Sequence, residues 1–258
     1  MLIFGIAARV VAALLSCGLA LAPAVAQDGA GVERAFPHPE TLTYSIEWRL
    51  INAGSARISL ERSGAGWQTH LELESAGLVS KLYKISDRFT AHYERAFCVE
   101  NSTLNANEGK RRRDTHITYD YDRKKASYLE RDLVKNSIVK QSESDIPDCV
   151  HDVIGGLIYL RGQAVEPGHS IELPLSDGKK YAMARIEAQE REDVKINGKS
   201  YKTVRYEAFI FNKILYARSG RMLIWMTDDA VHLPVQLQIR AGFPIGTVTL
   251  QMEKIETQ

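Results

Sequence analysis

The chain has 258 residues, 25% of them charged and 45% hydrophobic, with 33 basic and 32 acidic side chains. That balance gives no electrostatic reason to expect nucleic acid as a partner, and the length fits one large β domain or two small ones. The seven histidines are scattered singly, with no HExxH and no pair at i, i+4, so neither a metal nor a cofactor is expected.

Residues 1–26 read as a signal peptide. An apolar stretch from Val10 to Leu21 follows Arg9, and Ala24 and Ala26 are the small residues at −3 and −1 of a cleavage site before Gln27. Met1 to Ala8 is itself apolar, which is unusual ahead of such a core. Two rival readings stay open: a retained transmembrane helix, and a lipoprotein signal ending at Cys17, with Ser16 before the cysteine and Leu14 at −3. Past residue 26 no stretch approaches the roughly 20 apolar residues of a membrane span. The expectation is therefore an exported protein of the periplasm or outer envelope. Cleavage removes Cys17 and leaves Cys98 and Cys149, which an oxidising compartment would join as a disulfide. The closed loop of about 50 residues corresponds to roughly 3–4 kcal/mol on the chain-entropy account.

Residues 27–40 carry Gly29, Gly31, Pro37 and Pro39 with no apolar period and read as a flexible lead-in. From 41 to 258 a single antiparallel β domain is expected. Tyr44, Ile46, Trp48 and Leu50 alternate with polar residues, as do Ala56, Ile58 and Leu60, and then Trp67, Thr69, Leu71 and Leu73. Turns at Asn52-Ala53-Gly54 and Ser63-Gly64-Ala65-Gly66 join these runs into a meander. Leu78, Leu82 and Ile85 fall at helical spacing, which predicts a short helix over 76–84. Strands resume at 87–94, where Phe89, Ala91 and Tyr93 share a face, and continue at about 103–109, 111–121, 125–132 and, more weakly, 136–142. Ile117, Tyr119 and Tyr121 mark the inner face of the 111–121 strand. Pro147-Asp148 opens the clearest helix, Cys149 to Arg161, with Val150, Val153, Ile154, Leu157, Ile158 and Arg161 at 3–4 spacing. Asp148 is read as its N-cap, with Asp152 in the early turns. Gly155-Gly156 in its middle cost roughly 1 kcal/mol each against Ala, which points to a bend or to close approach of another backbone. Asp177-Gly178 and Asn197-Gly198 are hairpin turns, and Val235, Leu237, Ile239 and Val248, Leu250, Met252 alternate again.

About a dozen strands with two short helices exceed what a plain sandwich needs. The fold class is mainly β, a large curved antiparallel sheet forming a half-open or closed barrel, with the 149–161 helix covering it. Such a sheet can enclose an apolar ligand.

Lys110-Arg111-Arg112-Arg113 is the densest charge run. In a strand Arg111 and Arg113 face opposite to Lys110 and Arg112; a solvated hairpin is the first reading, and the alternative is that one pair turns inward to serve an anionic lipid phosphate or carboxylate. Cys149-Val150-His151-Asp152 contains the residue types of a nucleophilic pair, but a helix would make Cys149 and His151 diverge and the disulfide would remove the thiol. Asp228-Asp229 is read as a turn rather than a calcium site. A Gly-x-Ser-x-Gly elbow is absent, and no enzymatic activity is expected. The binding residues proposed from sequence are Arg88, Arg113 and Arg161 for an anionic headgroup, with Trp48, Tyr83 and Tyr159 as aromatic contacts. Trp48, Trp67 and Tyr93 read first as core packing, and would line a cavity if the sheet is a half-open barrel.

The order of several blocks resembles the domain-of-unknown-function 3108 family of exported bacterial proteins. These blocks are Leu42-Thr43-Tyr44-Ser45-Ile46-Glu47-Trp48 with Ala53-Gly54, Gly77-Leu78 with Tyr83-Lys84 and Asp87-Arg88-Phe89, and Glu108-Gly109-Lys110-Arg111-Arg112-Arg113. They continue with Asp152-Val153, Tyr159-Leu160-Arg161, Pro167-Gly168, Asp177-Gly178-Lys179, Ile224-Trp225 with Asp228-Asp229, Leu233-Pro234-Val235 and Ile245-Gly246-Thr247-Val248. The resemblance implies export and supplies no catalytic residues. The overall look is also similar to envelope proteins of the lipoprotein-carrier type, in which helices cover the open side of a curled sheet. The leading expectation is thus a binding protein for a lipid or lipoprotein ligand. The alternatives are a scaffold that pairs a strand edge with another envelope protein, and an enzyme acting on envelope lipid or glycan.

Overall fold

A computed structural model describes residues 38–94, 96–242 and 246–257. The expected signal peptide and all but the last three residues of the expected lead-in lie outside the described residues. Glu40, assigned to the lead-in, is the first residue of strand β1.

Period-two alternation produces one sheet. Its strands are β1 (Glu40–Trp48), β2 (Ile51–Ser63), β3 (Gly66–Ser75), β4 (Ser86–Tyr93), β5 (Val99–Glu108), β6 (Arg111–Asp120), β7 (Lys125–Asp132), β8 (Ser137–Asp145), β9 (Ser170–Ser176), β10 (Tyr181–Ile196), β11 (Lys199–Ala208), β12 (Gly220–Thr227), β13 (Pro234–Ala241) and β14 (Gly246–Thr257). Two short helices interrupt them, α1 (Gly77–Leu82) and α2 (Val153–Arg161). The spatial order is β8-β7-β6-β5-β4-β3-β2-β1-β14-β13-β12-β11-β10-β9, antiparallel at every pair. Each hairpin puts sequence neighbours side by side, and pairing of the first strand with the last joins the two halves. The sheet is not closed: β8 and β9 are its edges.

Turn chemistry explains the joints. Asn197 and Gly198 both take positive φ, 49° and 83°, the backbone of a two-residue hairpin that matches strand twist. Gly54 sits beside the register shift between β1 and β2, and a Cβ there would lie 2.0 Å from the Glu74 carbonyl oxygen on β3, so only glycine fits.

The concave face carries the core. Leu42, Tyr44, Ile46, Ala56, Ile58, Leu60, Trp67, Ala91 and Tyr93 from the first half pack with Leu173, Leu175, Ile186, Val204, Tyr206, Ile224, Val235 and Leu237 from the second. Helix α1 is shorter than its periodicity implied and buries none of its residues; Leu78 and Leu82 are exposed and Ile85 joins an isolated bridge to Glu108.

Helix α2 starts four residues later than the sequence indicates. Cys149 to His151 are extended rather than helical. His151 forms a parallel bridge with Leu175, its N–H donating to the Pro174 carbonyl at 2.9 Å while its own carbonyl accepts from Ser176 at 2.8 Å. Those ladder bonds hold the segment against the edge strand β9, the disulfide to Cys98 ties it to the start of β5, and the two together override its helical periodicity.

Candidate functional site

The most distinctive local construction is the crossover between the two sheet edges. Pro147 breaks the backbone after β8. Cys149 is then bonded to Cys98, with Cα atoms 5.1 Å apart across 51 residues of sequence, as the cysteine count implied. The N-cap of α2 is Asp152, not Asp148: its Oδ1 accepts from the Ile154 N–H at 2.8 Å and the Gly155 N–H at 2.9 Å. Asp148 instead pairs with Lys124 at the surface. Burial raises the Asp152 carboxyl pKa, with the Gly155 backbone N–H opposing it.

The double glycine meets side chains rather than the backbone that was expected. A Cβ at 155 would lie 2.6 Å from Tyr93 Cε1, and one at 156 would lie 2.7 Å from Leu175 Cδ2. The helix therefore seats on Tyr93 of one half and on β9 of the other. Its last residue, Arg161, is only 2% exposed and pairs with Glu40 at the start of β1, Nη2 donating to Oε2 at 3.2 Å and Nη1 to Oε1. The Arg161 carbonyl accepts from His232 Nδ1 at 2.8 Å. One end of α2 is thus anchored by a disulfide and a cap, and the other by a buried ion pair.

Between α2 and the second half lies a seam with an apolar lining: Val153, Leu157 and Leu160 from the helix, facing Leu173, Leu175, Ile186, Met222 and Ile224 from β9, β10 and β12. The free volume is about 20 Å³, room for about one water. The sheet interior at this seam is filled, by the helix itself.

His151 lies below the helix start. Its Nδ1 is 2.7 Å from the Phe97 carbonyl oxygen and its ring stands 4.8 Å from that of Tyr159. Burial lowers its pKa to about 4. The expected divergence of Cys149 and His151 assumed a helix; in extended backbone, residues two apart share a face, and Nε2 sits 4.0 Å from the Cys149 sulfur. That sulfur is in the disulfide.

The six residues proposed from sequence do not converge. Arg161 is buried and held by Glu40. Arg113 points to the concave side and pairs with Asp132 at 3.2 Å. Arg88 is exposed beside Glu72 at 3.5 Å. Tyr159 is buried against His151, Tyr83 is exposed beyond α1, and Trp48 lies half-buried at the end of β1 under the Arg49 guanidinium. Asp229 makes the expected turn, its Oδ1 accepting from the Val231 and His232 N–H groups at 3.0 and 3.1 Å. Sequence reading missed Glu40, which follows Pro37 and Pro39 and falls with them in the expected lead-in, and the β9–β12 wall, whose signal was the alternation of Leu173 with Leu175 and of Ala184, Ile186 and Ala188. Among the described residues, no group of three or more His, Cys, Asp or Glu side chains is placed to hold a metal.

The sequence profile of the family described as "Protein of unknown function (DUF3108)" matches residues 43–253. No curated protein matches the chain. Among solved structures, the fold is similar to the crystal structure of a β-barrel-like protein of the domain of unknown function DUF1849 from Brucella abortus. That match has a TM-score of 0.56 and 9% identity, and covers 86% of this chain and 98% of that one. A weaker match is a Bacteroides fragilis protein of YmcC-like fold provisionally described as exported, with a TM-score of 0.36, 8% identity, and coverage of 84% and 95%.

Proposed function

The chain belongs to the DUF3108 family of proteins of unknown function, and from that premise we propose that it is an exported cell-envelope binding protein, not an enzyme, which takes an apolar or acyl-bearing ligand at the seam beneath α2. The supporting observation is the seam itself: an apolar trough across β9, β10 and β12, filled by a single helix that contributes Val153, Leu157 and Leu160. A volume of about 20 Å³ is far below that of an acyl chain, so the ligand replaces the helix rather than joining it. Apolar burial of a lipid or lipoprotein acyl group supplies the affinity, as in other largely apolar sites. Export is supported by the Cys98–Cys149 disulfide, a bond that persists in oxidising compartments, and by the cleavage motif at Ala24-Val25-Ala26.

The test is native mass spectrometry, with lipid extraction, of protein recovered under mild conditions from expressing cells. The expected result is a co-purifying acyl lipid, displaced when the seam is narrowed by Ile186→Phe. A protein recovered without lipid, and unable to take up a fluorescent fatty acid, would sink the reading.

A second reading has its own observation. Strand β8 pairs only with β7, and all nine of its residues are exposed or half-exposed, leaving its other backbone edge open to an added strand of a protein partner. Crosslinking through a photoreactive residue at Gln141 would capture that partner in the envelope; recovery of uncrosslinked protein alone would count against it.

A further inference from the structure

In a meander, alternate connections emerge at the same end of the sheet. At one end of the first half these are 49–50, 76–85, 109–110 and 133–136, which join β1 to β2, β3 to β4, β5 to β6 and β7 to β8. Printed side by side they are Arg-Leu, Ala-Gly-Leu-Val-Ser-Lys-Leu-Tyr-Lys-Ile, Gly-Lys and Leu-Val-Lys-Asn. None contains an acidic residue. They carry Arg49, Lys81, Lys84, Lys110 and Lys135, all exposed. The connection 209–219 in the second half continues the pattern with Lys213 and Arg218 and again no acid. The connections at the opposite end contain Glu94, Asp122, Asp148, Asp152, Glu166, Asp228 and Asp229 alongside Arg123, Lys124 and Arg161, so acids outnumber bases there. The turn 177–180 departs from the pattern with Asp177, but it is folded against β6 and β8, where Gly178 meets Ile117 and its carbonyl accepts from Ser144.

The same end also carries the most exposed apolar side chains. Leu50 is 92% exposed, Leu82 74% and Val134 66%, and Leu78, Leu133 and Ile138 each exceed half. The segments form one continuous rim. The Ala76 N–H donates to the Ala53 carbonyl at 2.8 Å, the Gly109 N–H to the Lys84 carbonyl at 2.7 Å, and the Leu133 N–H to the Arg112 carbonyl at 3.0 Å. The Tyr83 ring covers Gly109. Of the acids flanking these loops, Glu108 and Glu130 pair with Arg111, Asp132 pairs with Arg113, Glu74 accepts from the Ser86 hydroxyl and Asp87 accepts from the Asn107 N–H.

Exposed leucine and valine among lysines, with no carboxylate in the loops, is the chemistry of an anionic bilayer surface: the apolar tips enter the acyl boundary and the lysines meet lipid phosphates. We propose that this rim, built from the β1–β2, β3–β4, β5–β6 and β7–β8 connections, docks the protein on an anionic lipid membrane. The proposal goes beyond the seam ligand and stands or falls independently of it, because the rim residues do not line the seam.

The test is co-sedimentation of the exported protein with vesicles of phosphatidylcholine alone and with roughly one quarter phosphatidylglycerol, at about 0.1 M and 0.5 M salt. Binding is expected only to the anionic vesicles, weakened at high salt, with each lysine contributing about fivefold. Two triple variants should keep the wild-type melting temperature while losing binding, Leu50→Ser/Leu82→Ser/Val134→Ser by about tenfold or more and Lys81→Glu/Lys110→Glu/Lys135→Glu by about a hundredfold or more. Arg123→Glu/Lys124→Glu at the opposite end should bind as wild type. Failure to bind anionic vesicles, or an equal loss in the opposite-end variant, overturns the proposal. So does a concentration-dependent dimer that the rim variants dissolve without any vesicle binding, since the rim would then join two copies of the chain. Loss of seam lipid in mass spectrometry with rim binding intact would overturn only the ligand reading.

Discussion

The ion pair between Arg161 and Glu40 is the sharpest test of how the helix is held. It joins residues 121 apart in sequence, with side chains 2% and 8% exposed. Arg161 Nε adds a 3.4 Å contact to the Val231 carbonyl. Removing the carboxylate by Glu40→Leu strips the buried guanidinium of the Glu40 charge, a change that typically costs about 3–5 kcal/mol. Arg161→Met leaves the carboxylate stranded at a similar cost. The double variant removes both charges and their desolvation penalty, so it should lie within about 2 kcal/mol of wild type. The cycle should therefore show a coupling energy of several kcal/mol, large against a typical domain stability of about 5–15 kcal/mol. Urea denaturation of the four proteins reads it directly. Because the pair fixes the C-terminal end of α2, the single variants should also bind a hydrophobic dye more strongly under native conditions. Single-variant losses below about 1 kcal/mol, or additive losses in the double variant, would refute the reasoning, since a solvated pair behaves that way.

The helix seat, the disulfide and the buried histidine offer further tests. Gly155→Ala should lower stability by about 1–3 kcal/mol, despite an intrinsic helix gain of about 1 kcal/mol, because its Cβ would meet the ring of buried Tyr93 at 2.6 Å. Gly156→Ala meets the movable Cδ2 of Leu175 and should cost less; thermal melts that reverse this order would contradict the packing. Replacing Cys98 and Cys149 together by Ser should lower unfolding free energy by about 3–4 kcal/mol for a loop of this length, measured against the oxidised protein. His151 has a folded pKa of about 4 against 6.5 unfolded, so the unfolded chain binds the extra proton between those values. Its contribution is fully present above pH 6.5 and is lost as pH falls through that window, by about 3 kcal/mol in all. Stability measured at about pH 7.5 and 4.5 should fall less in His151→Gln than in wild type; equal slopes would place the acid sensitivity elsewhere.

Much of the fold was legible because its causes are local. Alternation in Tyr44, Ile46 and Trp48, or in Val235, Leu237 and Ile239, marks the buried side of a strand without knowledge of its partner. Asn197-Gly198 specifies a hairpin through the positive φ that both residues tolerate. The count of cysteines left after Cys17 pointed to the Cys98–Cys149 bond. The candidate site was less legible. Arg88, Arg113 and Arg161 are the right residue type for an anion, but residue type says nothing of which face or partner each meets, and the structure gives them three separate acidic neighbours.

By itself, then, the sequence determined an antiparallel sheet of many short-turned strands, a disulfide and a glycine-bearing helix between β8 and β9, because propensity, turn geometry and cysteine chemistry act over a few residues or by simple count. Tertiary structure alone decided that β1 pairs with β14 and that the opening falls between β8 and β9. It also decided that Cys149 to His151 join the edge of β9 instead of the helix, and that Glu40 closes on Arg161. Each of these depends on contacts between segments far apart in the chain, where backbone ladder bonds and buried charge outweigh local periodicity.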